Sequence, residues 1–334
     1  MIKASIVVPE AYQENKLFDL NNSALNRDNC LYPFHLLKEG FKGKGYDLAT
    51  SDINEPSSSN IVIYNEMPKH LPMLGEREKS FLLLFESKLI KPDNWDIEKH
   101  QFFNKVFTWH DDFVDNEKYF KITFPMCFPE KISKELSKKE KLCTLIAGNK
   151  TVSHPLELYS KRVEAIRWFE NHHIDQFDLY GIGWDSCHFK GPKLFRALNR
   201  IKFLSKLLAP KFPSYQGKVE KKKNVLEKYK FVICFENAKD IPGYITEKIF
   251  DCFIAGSVPI YWGASNVNSY IPSGCYVDMK NFSSYEELYQ FISKMPDNEY
   301  SHYLDEIESF LLSKGADVFS AEHFVRTVIS QTVS

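Results

Sequence analysis

The stretch from Phe231 to Trp262, FVICFENAKDIPGYITEKIFDCFIAGSVPIYW, restricts the fold of this chain more than any other. Two short apolar runs rich in β-formers, Phe231–Phe235 and Ser257–Trp262, flank a segment with apolar residues at helical spacing, so the pattern reads as a βαβ unit. Pro242-Gly243 breaks the connecting loop and sets the expected helix start at about Tyr244. Gly256 stands where a helix ending near Ala255 favours a left-handed cap. Ile245, Ile249, Cys252 and Phe253 fall on one helical face, and Tyr244, Glu247, Lys248 and Asp251 fall on the other.

The first face is core; the second needs a reason. Early in a helix, backbone N–H groups lack intrahelical partners and the helix dipole favours an anion. An ammonium at that place makes a diphosphate pocket, although Glu247 and Lys248 alone also fit an ordinary solvated surface. Phe235-Glu236-Asn237 adds two hydrogen-bonding side chains directly after a buried strand, and ligands of open α/β sheets sit beyond such strand ends. A nucleotide-sugar site accounts for the whole arrangement.

Phe235-Glu236-Asn237, Tyr244-Ile245-Thr246-Glu247-Lys248 and Ala255-Gly256-Ser257-Val258-Pro259-Ile260 together resemble the donor signature of the α-1,3-fucosyltransferases of glycosyltransferase family ten, bacterial-type members included. Tyr261-Trp262-Gly263, Tyr270-Ile271-Pro272 and Phe319-Ser320-Ala321-Glu322 continue the likeness. Upstream, Phe85-Glu86-Ser87, Asn94-Trp95-Asp96 and Thr108-Trp109-His110-Asp111-Asp112 resemble the acceptor half. The resemblance implies a GT-B arrangement, two Rossmann-like domains facing a cleft, and inverting transfer of L-fucose from GDP-fucose to an N-acetylglucosamine-containing glycan of lactosamine or lipopolysaccharide type. A related transferase using another nucleotide sugar, or a glycan-binding protein without turnover, are the alternatives. Two departures stand out. Similar sequences often have Gly-Arg-Gly-Trp where this chain has Gly181-Ile182-Gly183-Trp184, and Gln216 replaces a commonly basic or otherwise polar residue.

Composition agrees with a soluble enzyme. A length of 334 residues allows two domains with sizeable cores, and a mean hydropathy of −0.35 argues against a membrane protein. No apolar run approaches the roughly 20 residues that span a bilayer, and Pro9 interrupts the N-terminal run too early for a signal peptide. A cytoplasmic location is expected, with peripheral attachment to the inner face of a membrane left open. The net charge of −1 gives no reason to expect nucleic acid as a partner. Seven cysteines without paired spacing suggest neither a disulfide framework nor a zinc site and fit a reducing compartment.

Alternating elements organise the first third: strands at Ala4–Val8, Tyr46–Thr50, Ile61–Tyr64, Phe81–Phe85, Val106–Trp109 and Ile122–Pro125, with a helix around Pro33–Lys38. Such alternation predicts a mainly parallel sheet flanked by helices. A Lys/Glu helix over Lys131–Lys141 is expected to separate an acceptor domain, 1–140, from a donor domain, 141–310, with a C-terminal helix in 311–334. The second series comprises a strand at Leu142–Ile146, a helix from His154 to Asn171 capped by Ser153, a strand at Phe177–Tyr180, and the βαβ unit. In that helix Arg162 lies beside the core stripe, where its planar fork reaches a phosphate or the residue simply faces solvent.

Inverting glycosyl transfer needs a base for the acceptor hydroxyl and stabilisation of the departing diphosphate. Lys248, the helix N-terminus and Arg162 are the candidates for the second task, and no Asp-x-Asp triplet suggests a metal in that role. By resemblance, Asn237, Tyr244 and Glu247 hold the donor, while Glu236 points either into the site or away from it. Glu86, expected at the carboxyl end of a strand in the other domain, is the candidate base; His110 competes with it. No cofactor or metal is expected.

Overall fold

The computed structural model describes residues 1–187, 203, 205 and 208–333. Among these residues the strands form two six-stranded sheets, both parallel throughout. The first runs β2 (Tyr46–Thr50), β1 (Ile2–Val7), β3 (Ile61–Asn65), β4 (Ser80–Leu84), β5 (Lys105–Thr108), β6 (Tyr119–Lys121). The second runs β12 (Val277–Asp278), β11 (Val258–Trp262), β10 (Tyr229–Phe235), β7 (Lys141–Ile146), β8 (Phe177–Tyr180), β9 (Tyr215–Gly217). Strands buried on both faces read as nearly continuous apolar runs, and β4, SFLLL, is buried along its whole length.

Helices α1 (Tyr32–Gly43), α2 (Tyr159–His172), α3 (Lys222–Leu226), α4 (Glu247–Ile254), α5 (Tyr285–Lys294), α6 (Asp297–Leu311) and α7 (Ala321–Thr332) cover the sheets. The last does not stay with the second sheet. Phe324, Val325 and Val328 of α7 enter the core of the first sheet with Leu37 and Phe41 of α1. The contact is close: a Cβ on Gly40 would lie 2.5 Å from Ile329 Cδ1. Both ends of the chain therefore build the first structural unit.

Four expectations are corrected, the last of them the start of α4. Residues 131–140 are not a helix but an extended link with one short turn at Leu136–Lys138. Its charges are used at long range, Lys134 on Asp305 of α6 at 2.7 Å and Lys139 Nζ donating to Gly256 O at 2.7 Å. Helix α2 starts at Tyr159 rather than His154, because Leu156–Leu158 bond instead to the loop after β10: Lys239 N–H donates to Leu156 O, and Leu158 N–H to Asn237 O. Pairing of β6 begins earlier, at Tyr119, so the expected strand at Ile122–Pro125 lies just beyond it, joined through Ile122 N–H to Thr108 O.

Helix α4 begins three residues later than its spacing suggests. Tyr244 and Ile245 form a turn, with Tyr244 N–H donating to Ile241 O and Ile245 N–H to Gly243 O. Thr246 is the cap, so Glu247 and Lys248 become the first two helical residues. At the other end Gly256 has φ +65°, and a Cβ there would lie 1.9 Å from Ser133 O, so glycine is required twice over.

Candidate active site

One cavity of about 550 Å³ opens at the carboxyl ends of β7 and β10 and extends across to the first sheet. Its size suits a small-molecule ligand. The second unit supplies most of its wall, including Arg162, Asn237, Tyr244, Thr246, Glu247 and Lys248, while Glu86, Arg27 and Phe124 come from before the second sheet begins. Six of the seven residues singled out in the sequence therefore meet in one place.

Glu236 is the exception. Its side chain is fully buried and outside the cavity wall, with one oxygen accepting from Thr246 N–H at 2.8 Å and the other from Thr246 Oγ1 at 2.8 Å and Lys248 Nζ at 3.1 Å. Both oxygens are thus committed to the start of α4, and a direct role in donor binding is corrected to support of Thr246 and Lys248. Glu247 Oε1 lies 3.7 Å from the same ammonium. Burial by itself would lower the Lys248 pKa, but the carboxylates of Glu236 and Glu247 outweigh it and hold the ammonium above its usual range. Burial likewise favours the neutral form of Glu247, yet Lys248 and Lys222 bring its carboxyl down to about 2. The beginning of α4 is therefore a fixed pair of opposite charges facing the cavity, with helix N–H groups beside them.

Arg162 is buried at 5 % exposure rather than lying on a surface. Its Nη2 donates to Phe235 O at 2.6 Å and to Asn237 Oδ1 at 3.1 Å, and the guanidinium lies 4.9 Å from the centre of the Tyr159 ring. The carbonyl at the end of β10 draws the side chain inward, which spacing within α2 alone did not show. Asn237 Nδ2 reaches Tyr244 Oη at 3.4 Å, and Tyr244 packs on Trp109 with ring centres 4.6 Å apart.

Glu86 stands two residues beyond β4, its carboxyl raised by burial, lowered by Lys248 and raised again by Glu247. His110 is absent from the cavity wall. It stacks on Trp109 at 5.4 Å and its Nδ1 is buried without a partner, so of the two candidate bases only Glu86 lines the cavity. Asp111, beside it, bridges the two units, accepting from Lys121 Nζ, from Asn266 Nδ2 at 2.7 Å and from Tyr270 Oη at 2.6 Å.

Several wall residues had no clear signal in the sequence. Arg27 sits in a loop before α1 and donates from Nη2 to Val219 O at 2.9 Å, bridging the cleft. Lys222, at the start of α3, pairs with Asp251 at 2.6 Å, whose carboxyl burial pushes up to about 6. Ile182 lines the cavity at 56 % exposure, whereas Gln216 lies on β9 outside it and donates to Asp178 Oδ1 at 3.0 Å. Among the described residues no group of three or more His, Cys, Asp or Glu side chains is placed to hold a metal ion, and no helix is long and apolar enough to cross a membrane.

Residues 136–322, more than half the chain, match the family described as glycosyltransferase family 10 (fucosyltransferase), C-terminal part. An α-(1,4)-fucosyltransferase of Arabidopsis thaliana is 42 % identical over 77 residues, which are 22 % of this chain and 19 % of that protein. The α-(1,3)-fucosyltransferase FucT of Helicobacter pylori is 34 % identical over 87 residues, 26 % of this chain and 18 % of that protein. The matched stretches thus span about a fifth of these relatives. In three dimensions, a crystal structure of an α1,3-fucosyltransferase with GDP-fucose superposes with a TM-score of 0.55 at 15 % identity, covering 100 % of this chain and 90 % of that one. That likeness extends over both sheets and gives the fold as GT-B.

Proposed function

Because this chain belongs to glycosyltransferase family 10, the fucosyltransferases, we propose that it moves L-fucose from GDP-fucose to a hydroxyl of an N-acetylglucosamine-containing oligosaccharide, forming an α-1,3 linkage with inversion. The observation that carries this reading is the shared cavity, which Glu86, just beyond β4, lines together with Glu247 and Lys248 at the start of α4. GDP-fucose is the ligand in a solved structure of like fold, and it supplies the anion that Lys248 and the helix N-terminus suit.

In the proposed reaction the acceptor oxygen attacks the anomeric carbon from the side opposite the diphosphate. Its proton passes to the Glu86 carboxylate, and the bond from the anomeric carbon to the phosphate oxygen breaks with its electron pair leaving on GDP. Lys248, the N–H groups at the start of α4 and the Arg162 guanidinium stabilise that developing charge, so no metal enters the scheme. Glu247, largely ionised at neutral pH, accepts hydrogen bonds from donor hydroxyls, and Asn237 and Tyr244 shape the same wall.

Incubation of the purified protein with GDP-fucose and a panel of lactosamine and lipopolysaccharide-type acceptors, with and without EDTA, tests the proposal. Equal product in both arms is expected; no fucosylated product with any acceptor would contradict it. Ile182, apolar on a cavity wall where similar sequences often carry Arg, favours a second reading in which another nucleotide sugar is the donor. Thermal shifts with GDP, UDP and CMP separate the two, since GDP-fucose as donor requires that GDP stabilise the protein most.

A further inference from the structure

Glu86 is held through its backbone by side chains from three other parts of the first unit. Phe85 N–H and Glu86 N–H both donate to Glu66 Oε1, at 3.1 and 2.9 Å. Phe85 O accepts from Trp109 Nε1 at 2.8 Å, and Glu86 O accepts from Trp95 Nε1 at 3.1 Å and Asn94 Nδ2 at 3.2 Å. The second Glu66 oxygen accepts from the same Asn94 amide, whose Oδ1 is fixed by Met67 N–H at 2.9 Å. Every backbone N–H and C=O of Phe85 and Glu86 is thereby satisfied, and Glu66 with Asn94 closes the ring around them.

Glu66 is a costly residue for this place if packing were its only task. Its φ of +74° is in the left-handed region, unusual for a glutamate. Burial pushes its carboxyl up to about 7, held down only in part by the N–H donors from Glu86, Asn94 and Phe85, with no cation among the groups that act on it. A buried carboxyl without a cation is costly to keep, and here its three hydrogen bonds specify the backbone geometry of Phe85 and Glu86.

We infer that Glu66 is a positioning residue of the transfer reaction, acting through the backbone of Phe85 and Glu86 to aim the Glu86 carboxylate at the acceptor hydroxyl. The inference rests on the reading of Glu86 as the base. It concerns alignment, so it separates chemistry from donor binding.

The test uses the full chain and three readouts: the transfer kcat, the hydrolysis of GDP-fucose by water, and the Kd for GDP. In Glu66→Gln one acceptor oxygen remains, but the new NH₂ faces the Asn94 NH₂, which cannot turn while Met67 holds its oxygen. Transfer kcat is expected to fall roughly 10- to 100-fold, the cost of a small misalignment, with hydrolysis and GDP affinity within about twofold of wild type. An unchanged kcat, or parallel losses in all three, would overturn the inference. Should Glu66→Gln fail to fold, Glu66→Asp decides instead: aspartate tolerates left-handed backbone and keeps the charge, yet falls a methylene short of the two N–H groups. The same split is expected of it, and its absence counts against the inference. Glu86→Gln runs in parallel. If it transfers normally, the role of Glu86 fails first; if it is inactive while both Glu66 variants are fully active, only the positioning role fails.

Discussion

The ammonium of Lys248 lies 3.1 Å from a carboxylate of Glu236 that has no exposed surface, so the cation facing the cavity is anchored from behind by a buried anion. The pair fixes where α4 begins, because Glu236 also accepts from the backbone and side chain of the capping Thr246. Replacing Glu236 leaves Lys248 with Glu247 alone, and replacing Lys248 leaves the buried Glu236 without a cation.

Glu236→Gln is therefore expected to destabilise the protein by about 3 kcal/mol, the usual scale for breaking a buried pair from one side. Thermal unfolding should show a Tm several degrees lower, and the affinity for GDP should fall as Lys248 loses its anchor. Equal Tm and equal GDP affinity would show that the pair does not organise the site.

Asp111, held by Lys121 of its own unit, ties the two units through Asn266 and Tyr270. Burial favours its protonated form, but these donors outweigh that and lower its pKa. A carboxylate depressed on folding contributes stability that is present above its unfolded pKa, roughly 4, and lost as pH falls through the lower folded value. Asp111→Asn should remove this acid-labile contribution. Amide exchange at Asn266 and Gly243 is expected to rise in the variant at neutral pH and, in wild type, only under strongly acidic conditions.

Gly243 has φ +77°, and a Cβ there would sit 2.3 Å from Trp109 O. Gly243→Ala must displace either the Ile241–Tyr244 turn, which carries Tyr244 of the cavity wall, or the Trp109 backbone. A loss of about 2 kcal/mol or more is expected, larger than for a surface substitution; a chemical denaturation midpoint unchanged from wild type would contradict the tight approach of the two units.

Glu66 and Asp251 have the opposite pH signature, with burial raising their carboxyls to about 7 and about 6. A carboxylate raised on folding binds its proton more tightly in the native state, so native stability increases as pH falls from 7 toward the ordinary carboxylate range. Tm measured from pH 7.5 to 5 should show this gain, and Glu66→Gln should reduce it. A gain of equal size in the variant would place the buried proton elsewhere.

Much of this arrangement was legible in the sequence because parallel strands buried on both faces leave nearly unbroken apolar runs, as β4 and β10 do. The α4 motif was legible for another reason: its polar residues are close together in the chain. What escaped detection depends on partners far away. The charges of residues 131–140 suggest a helix until Asp305 of α6 and Gly256 claim them. Arg162 looks peripheral until the end of β10 provides Phe235 O. Glu66 and Arg27 sit in loops without periodicity, and Glu236 could not be aimed without knowing where Thr246 lies. The packing of α7 against α1, across nearly the whole chain, left no local signature.

In the proposed reaction Glu86 accepts the acceptor's proton opposite a diphosphate held by Lys248. Its carboxyl, raised by burial, should give the transfer kcat/KM an acid limb above the ordinary range of a glutamate. The most direct test is fucosyl transfer by wild type and Glu86→Gln across that pH range, alongside GDP binding. Transfer lowered by about a hundredfold or more, with no remaining acid limb and GDP affinity intact, is the predicted result for the variant. Transfer at a wild-type rate with the acid limb preserved would contradict it.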